Sequence, residues 1–277
     1  MLCAKYLFED LPEKKYENPA TNVSLVIDSH GSNIYGRLLL PAGQSADERY
    51  PLAIFLHGFP GLEQNLDILP ALRRAGIAAV HFSYRGVWGS KGNYCFSHLM
   101  EDTHTLLHYL SERAEQWHLD TSRVYLVCHS MGGFTGLNAL AQGIPVKGAV
   151  MIAPCDIGWL YECNPHKFEE LMLNQKMGYF TLPHDTFIED NVRTYAKQWR
   201  FDKLAALLPE EVPIHFIGAS ADAITPPGQH IMPIYQALCR RGMKTSYAEF
   251  DDGHAFTDHR IALTRLVFER IAQMEKE

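Results

Sequence analysis

The hydrophobic pattern of the chain begins with a segment in which apolar side chains occupy alternate positions. Val23, Leu25 and Ile27 recur at every second residue, and a second apolar stretch covers residues 34–40 after a polar turn at residues 29–33. Alternation interrupted by a short polar turn is typical of a β-hairpin that is buried on one side. We therefore predict a hairpin over residues 21–41.

Short, unbroken apolar runs then alternate with helical patterns. Runs of this kind suit strands that are buried on both faces of a parallel sheet. We predict such strands at residues 52–56, 77–82, 124–128, 146–153, 213–218 and 245–250. The helical patterns lie at residues 64–75, 99–116, 132–142, 229–241 and 260–275. Repeated β-α units predict an α/β fold with a mostly parallel central sheet and helices on both faces.

The alternation of strands and helices is interrupted between residues 155 and 208. This stretch has no clear buried strand and carries nine aromatic side chains. We interpret residues 155–208 as a helical cap inserted into a core formed by residues 1–154 and 209–277. Most of the aromatic rings are expected to pack against the sheet, whereas two or three should line a pocket for an apolar or aromatic group. The candidates for this substrate-binding role are Trp159, Phe180 and Trp199.

Composition and charge exclude several classes of protein. The 277 residues are 47% hydrophobic, with a net charge of −7 and no run of Lys or Arg, so nucleic acid is not an expected partner. No apolar run approaches the roughly 18 residues of a membrane helix, and Glu9 and Asp10 interrupt the first apolar residues of the chain. The six cysteines form no CxxC pair, which favours reduced thiols. We expect a cytoplasmic protein, with no membrane partner.

The strongest chemical signal is the segment VYLVCHSMGGFTGL, residues 124–137. An apolar strand runs directly into Ser130, and a helical pattern follows at once. A sharp turn of this kind lifts a serine oxygen clear of the sheet, and the helix N-terminus places N–H groups beside developing negative charge. The usual pattern is Gly-x-Ser-x-Gly; Gly132 keeps the second glycine, whereas Cys128 replaces the first. A lone serine here would more often be a helix cap, but its small neighbours favour a nucleophile.

Candidate partners for Ser130 follow two later strands. Asp222 comes after the predicted strand 213–218, and His254 comes after the strand 245–250. Loops at the carboxyl ends of parallel strands meet at one edge of the sheet, so these side chains can converge. His254 would act as the base and Asp222 as the acid that orients it. Asp251 and Asp252 are alternative acids, although their closeness to His254 in sequence makes the geometry less natural.

A glycine-containing loop, His57-Gly58-Phe59-Pro60-Gly61, directly follows the strand at residues 52–56. Acyl transfer passes through an oxyanion that preorganised N–H groups must stabilise. We predict that the backbone N–H groups of Phe59 and Met131 form this oxyanion hole. An ordinary β-α turn remains the alternative interpretation of the loop.

Several motifs together resemble the α/β-hydrolase superfamily in order and spacing. They are HGFPG, HFSYRGVWGSKG, CHSMGG and the loops of Asp222 and His254. The hairpin that ends in GRLLLPAG is similar to that of cinnamoyl/feruloyl esterases and dienelactone hydrolases, and to the catalytic domains of prolyl-oligopeptidase-type peptidases. Ser83 is a departure, because relatives often have Asp before the Tyr-Arg-Gly run. The resemblance implies hydrolysis of an ester, amide or thioester through an acyl-enzyme, without a cofactor.

Three functions remain open from the sequence. The first is a carboxylesterase whose partner is a small to medium ester, the second a peptidase or amidase with the same triad, and the third a binding protein without catalysis. A homo-oligomer is possible. No metal is expected: His104 and His108 have a ligand-like spacing, but Thr105 stands where a zincin motif needs Glu.

Overall fold

The computed structural model describes residues 2–43, 45, 47–59, 65–173 and 178–276. Its strands are β1 Thr21–Ser29, β2 Ser32–Leu40, β3 Tyr50–Leu56, β4 Ala78–Ser83, β5 Leu119–His129, β6 Gly148–Ile152, β7 Ile214–Ala219 and β8 Thr245–Phe250. They form one sheet in the order β1-β2-β4-β3-β5-β6-β7-β8.

The sheet is antiparallel at one edge and parallel elsewhere. β1 and β2 form the predicted hairpin, and β2 pairs antiparallel with β4. From β4 to β8 every neighbouring pair is parallel. At the tip of the hairpin, His30 and Gly31 both have positive φ, as the tight twist of a two-residue hairpin turn requires. The predicted fold class, an α/β fold with a mostly parallel sheet, is confirmed.

Helices cover both faces of the sheet. They are α1 Ile68–Arg74, α2 Phe96–Glu112, α3 Met131–Ala141, α4 Ile157–Cys163, α5 Pro165–Leu173, α6 Phe187–Trp199, α7 Phe201–Leu204, α8 Pro227–His230, α9 Met232–Arg240 and α10 Arg260–Met274. Apolar side chains of α1 and α10 pack on one face, and those of α2, α3 and α9 pack on the other. In the part of the chain that the structure describes, no helix is long and apolar enough to cross a membrane.

Some helix boundaries differ from the prediction. The helix predicted at residues 229–241 is divided, since α8 ends at His230 and α9 begins at Met232. Pro233 explains the break, because its ring lacks an N–H and would clash with the carbonyl four residues earlier in a continuous helix. The helix predicted at residues 99–116 spans Phe96–Glu112 instead. Of the helix predicted at residues 64–75, residue 64 lies outside the described residues, and α1 begins at Ile68.

The segment between β6 and β7 carries helices α4 to α7, and its described residues contribute no strand to the sheet. Its buried side chains, such as Ile157, Val192 and Phe201, belong to the same apolar cluster as those of α2 and α3. The helical character of the described residues between 155 and 208 agrees with the prediction. Their division from the core as a separate cap stays a prediction.

A buried ion pair joins the hairpin, the loop after β4 and α2. The side chain of Asp102 accepts hydrogen bonds from the Arg85 N–H at 2.8 Å, from Arg85 Nε at 2.6 Å and from the Ser29 hydroxyl at 2.6 Å. Burial raises the pKa of Asp102, and the Arg85 guanidinium counteracts that effect. Arg85 also contacts Glu101. The loop that follows β4 is thus anchored on α2.

We expect Asp102→Ala to lower the free energy of unfolding by about 3 kcal/mol, because the buried guanidinium of Arg85 would lose its fully buried carboxylate partner. Urea denaturation followed by circular dichroism measures this loss. Asp185→Ala is the matched control, since Asp185 is exposed, and it should change the same quantity by no more than about 0.5 kcal/mol. Equal, small effects of both substitutions would contradict the anchoring role of Asp102.

Candidate active site

Ser130 stands in the turn between β5 and α3, at the carboxyl end of the sheet. Its φ of 57° and ψ of −119° are rare for a residue with a side chain. Hydrogen bonds hold the turn on both sides: the Ser130 N–H donates to the Ile152 carbonyl, and the Ser130 carbonyl accepts from the N–H groups of Gly133 and Cys155, each at 2.9 Å. The surrounding backbone therefore maintains the strained conformation of Ser130.

Gly132 allows α3 to approach β3 closely. A Cβ at this position would overlap the carbonyl oxygen of Leu56, the last residue of β3. A side chain of any size would therefore push the helix N-terminus away from the sheet, and Ser130 would move with it.

Cys128 is accommodated where the common pattern has glycine. Its side chain is fully buried and faces Gly136, where an added Cβ would lie 2.6 Å from the sulfur. The missing side chain at position 136 thus provides the room that Cys128 needs. Burial raises the pKa of the Cys128 thiol, which keeps it uncharged.

Two further side chains complete a chain of hydrogen bonds with Ser130. His254 Nε2 lies 2.9 Å from Ser130 Oγ, and His254 Nδ1 lies 2.8 Å from Asp222 Oδ2. The carboxylate of Asp222 is the natural acceptor for an Nδ1–H, which leaves Nε2 free to accept the serine proton. Ser130, Asp222 and His254, all named from the sequence, are therefore brought together.

The environment of Asp222 favours its charged form. Its Oδ1 accepts the N–H groups of Ile224 and Thr225 at 2.8 Å each, and Thr225 Oγ1 lies 2.7 Å from Oδ2. Burial opposes the charge, but the hydrogen bonds from His254 and Thr225 outweigh burial and lower the pKa of Asp222 to about 2. Asp222 is thus ionised at neutral pH, beside the imidazole of His254.

The two alternative acids have other partners. Asp251 accepts a hydrogen bond from the Ser220 hydroxyl at 3.0 Å. Asp252 accepts from His259 Nδ1 at 2.9 Å and from the Asp258 N–H at 3.1 Å. The imidazole of His254 contacts Asp222 instead.

His129 and Thr225 are site residues that sequence reasoning missed. The Nε2 atom of His129 lies 3.0 Å from the backbone carbonyl of His254, so an Nε2–H can hold the loop of the imidazole. Burial lowers the pKa of His129 to about 3, which keeps the ring neutral. The only sequence signal for His129 is a polar residue in a buried strand next to Ser130. No pattern indicates Thr225.

Phe59 and Met131 both line a pocket next to Ser130. Met131 is the first residue of α3, so its N–H has no acceptor within the helix. Among the described residues, no acceptor takes the N–H of Phe59 or that of Met131. Pro60 and Gly61 of the predicted oxyanion loop lie outside the described residues. Both N–H groups remain candidates for an oxyanion hole.

The pocket has a volume of about 230 Å³ and a mostly apolar wall. A salt bridge of 2.9 Å between Lys167 and Glu170 of α5 borders it. The apolar side chains that line it come from the loops and from α3, α4 and α5: Phe59, Met131, Cys155, Ile157, Leu160, Leu171 and Ile224. Within the described ranges, no three His, Cys, Asp or Glu side chains are grouped to hold a metal ion.

The three aromatic residues predicted to line a substrate pocket do not line this one, and their substrate-binding role stays a prediction. Among the described residues that line the pocket, none is Trp159, Phe180 or Trp199. Trp199 lies on the buried face of α6 and meets Phe134 edge to face at 5.0 Å. Trp159 packs against His230, and Phe180 stacks on Phe59 at 5.0 Å, behind the pocket wall.

The model of the alpha/beta hydrolase family matches residues 53–264, about three quarters of the chain. That span contains Ser130, Asp222 and His254. The chain belongs to the alpha/beta hydrolase family. No curated protein matches this chain significantly.

Solved structures share the fold of this chain at low sequence identity. A puromycin hydrolase matches with a TM-score of 0.72 and 18% identity over 93% of this chain and 40% of its own. One of two fungal esterases from Rhizomucor miehei matches with a TM-score of 0.68 and 16% identity, over 94% of this chain and 85% of its own. Est1E from Butyrivibrio proteoclasticus matches at 0.67 and 16% identity, over 92% and 99%. This chain therefore spans only about two fifths of the puromycin hydrolase.

We expect Gly132→Ala to lower the free energy of unfolding of the protein by about 1–3 kcal/mol, because the new methyl group meets the backbone of β3. Urea denaturation measures the loss. Gly228→Ala is the matched control, because nothing lies within 4 Å of a Cβ added there. If the two variants unfold at the same urea concentration, the close approach of α3 and β3 does not require glycine at position 132.

Proposed function

We propose that this alpha/beta hydrolase is a serine carboxylesterase. Ser130 acts as the nucleophile, His254 as the general base and Asp222 as the acid that orients and stabilises the imidazole. The observation that carries the proposal is the continuous chain of hydrogen bonds from Ser130 Oγ through His254 to Asp222, with distances of 2.9 and 2.8 Å. An imidazole held in this way can take up the serine proton as the oxygen attacks.

The proposed reaction has two halves. Ser130 Oγ attacks the ester carbonyl carbon while His254 Nε2 takes its proton, and the N–H groups of Phe59 and Met131 stabilise the oxyanion. The C–O bond to the alcohol then breaks, His254 returns the proton to the leaving oxygen, and the acyl group stays on Ser130. A water molecule, deprotonated by His254, releases the acid and restores the hydroxyl.

The pocket supports an ester with an apolar acyl group. Its volume of about 230 Å³ exceeds the roughly 150 Å³ of a cavity that holds benzene. It therefore has room for one ring or a short aliphatic chain beside the carbonyl. The apolar wall gains free energy when such a group leaves water.

A peptidase or amidase with the same triad is the second candidate. It is supported by the likeness in fold to a puromycin hydrolase, a likeness that does not extend to the larger part of that protein. An amide differs from an ester in that the leaving nitrogen must be protonated before the bond breaks. Rates on matched ester and amide substrates therefore distinguish the carboxylesterase from the peptidase or amidase.

A fluorophosphonate probe should label the folded protein on Ser130, because the probe needs an activated serine. We expect labelling, located by peptide mass spectrometry, to be lost in Ser130→Ala and retained in Ser122→Ala, a change at an exposed serine. No labelling of the folded wild-type protein would favour a binding protein without catalysis.

The carboxylesterase proposal also predicts turnover of p-nitrophenyl esters, with the highest kcat/KM for acyl groups that fill the pocket, and no turnover of aminoacyl-arylamides. Initial rates over a series of acyl lengths measure this preference. Comparable kcat/KM values for matched esters and arylamides would move the assignment to the peptidase class.

Asp222→Asn should lower kcat by about 10³–10⁴, because an amide would favour the wrong tautomer of His254. Asp251→Asn is the matched control and should keep the wild-type rate, since Asp251 contacts Ser220. Steady-state kinetics on one ester compares the variants. A large loss in Asp251→Asn together with a small loss in Asp222→Asn would contradict the assignment of the acid.

A further inference from the structure

An aromatic cluster lies behind the pocket wall. Phe59, Tyr94, Phe96 and Phe180 come from three separate segments of the chain. The ring of Tyr94 lies 6.0 Å from that of Phe59 and 4.7 Å from that of Phe180, and Phe59 and Phe180 stack at 5.0 Å. The side chain of Phe59 is therefore held by rings on more than one side.

Tyr94 also reaches the second residue of the proposed oxyanion hole. Its hydroxyl donates to Met131 Sδ at 2.8 Å, and the ring is almost fully buried. Burial raises the pKa of Tyr94 well above its ordinary value, so the hydroxyl keeps its proton and remains a donor. One side chain thus touches both Phe59 and Met131.

The backbone of Tyr94 is fixed as well. Its N–H donates to the Thr181 carbonyl at 3.0 Å, and the Thr181 N–H donates to the Gly86 carbonyl at 2.7 Å. This clamp links the loop after β4 to the segment that carries Phe180, where Val87 and Phe180 form a β-bridge. Arg85, in the same loop, is anchored on Asp102. The backbone of Tyr94 is therefore held in place by contacts on both sides of the loop.

Among the residues that the structure describes, the buried hydroxyl of Tyr94 donates only to a thioether, an arrangement that packing alone would not favour. Sulfur is a weak acceptor, and removing a hydroxyl from water costs free energy that such a bond recovers only in part. Phenylalanine would fill nearly the same volume without that cost. The presence of a hydroxyl at Tyr94 is explained if its hydrogen bond holds Met131 in position.

We propose that Tyr94 is a positioning residue of the oxyanion hole: its ring fixes Phe59 and its hydroxyl fixes Met131, so that the two N–H groups point at one oxygen. This inference rests on the proposed function. Oxyanion stabilisation depends on donors that are already in place, and a small misplacement lowers the rate of the chemical step more than substrate binding.

Tyr94→Phe removes the hydroxyl and keeps the ring. We expect kcat on a p-nitrophenyl ester to fall about three- to tenfold with little change in KM, a fraction of the roughly 10²–10³ that the loss of a whole donor costs. The matched control is Tyr109→Phe, because the ring of Tyr109 packs against Trp117 and Arg113, outside the cluster. Circular dichroism and thermal melting show whether each variant is folded.

A thionoester, with C=S in place of C=O, gives a readout that a merely structural role would not move. Sulfur accepts hydrogen bonds poorly, so a working oxyanion hole favours the oxygen ester. We expect the ratio of kcat/KM for the oxygen ester to that for the thionoester to fall in Tyr94→Phe and to stay at the wild-type value in Tyr109→Phe. An unchanged ratio in folded Tyr94→Phe would overturn the inference.

The path through the sulfur is tested by a double-mutant cycle. Met131→Leu removes the acceptor and keeps an apolar side chain of similar size. If the hydroxyl acts through Met131, the double variant should be no slower than the slower single variant. Losses that multiply would refute that path. If the wild-type protein shows no labelling of Ser130, the proposed function fails and this inference fails with it; labelling together with an unchanged ratio defeats this inference alone.

Discussion

Ser130 adopts a backbone conformation with a φ of 57°, and the neighbouring chain must fit tightly around it. The sheet makes this possible because β5 lies between β3 and β6, each paired in parallel over several residues. The end of β3 meets Gly132. Ile152, the last residue of β6, accepts a hydrogen bond from the Ser130 N–H, and the N–H of Cys155, just after β6, donates to the Ser130 carbonyl. A strained residue costs about 1–3 kcal/mol. The contacts of Ser130 with the neighbouring strands offset this cost.

The same arrangement brings the other groups to Ser130. Parallel strands end at one edge, so the loops after β7 and β8 deliver Asp222 and His254 there. The Nε2 atom of His129, the last residue of β5, lies within hydrogen-bonding distance of the His254 carbonyl, which ties the loop of His254 to the strand that precedes Ser130. Ser130 and His254 lie 124 residues apart in sequence, yet their side chains form a hydrogen bond without any movement of the backbone.

Much of the fold could be predicted from the sequence because its signals are local. Unbroken apolar runs such as residues 52–56 identified strands buried on both faces, and alternation identified the hairpin. The candidate site followed from the same rule, since polar residues directly after buried strands must lie at one edge. The division between α8 and α9 was missed although Pro233 marks it, because apolar periodicity continues across the break.

Pocket residues could not be predicted in the same way. Aromatic content indicates burial, but it does not tell which side of a ring faces a cavity. Trp199 turned toward Phe134, whereas the small and aliphatic side chains of Cys155, Ile157 and Leu160 line the space beside Ser130. The contact between Tyr94 and Met131 joins a loop residue to the first residue of α3, 37 positions later in the chain, and no periodic pattern encodes it.

The proposed function requires that an ester transfer its acyl group to Ser130. Mixing the protein with a p-nitrophenyl ester, stopping the reaction with acid during turnover and mapping the peptides by mass spectrometry tests it most directly. We expect the peptide that contains Ser130 to increase in mass by the acyl group. The corresponding peptide of Ser130→Ala should show no such increase. Turnover of the ester with no acylated peptide, and with the same rate in Ser130→Ala, would contradict it.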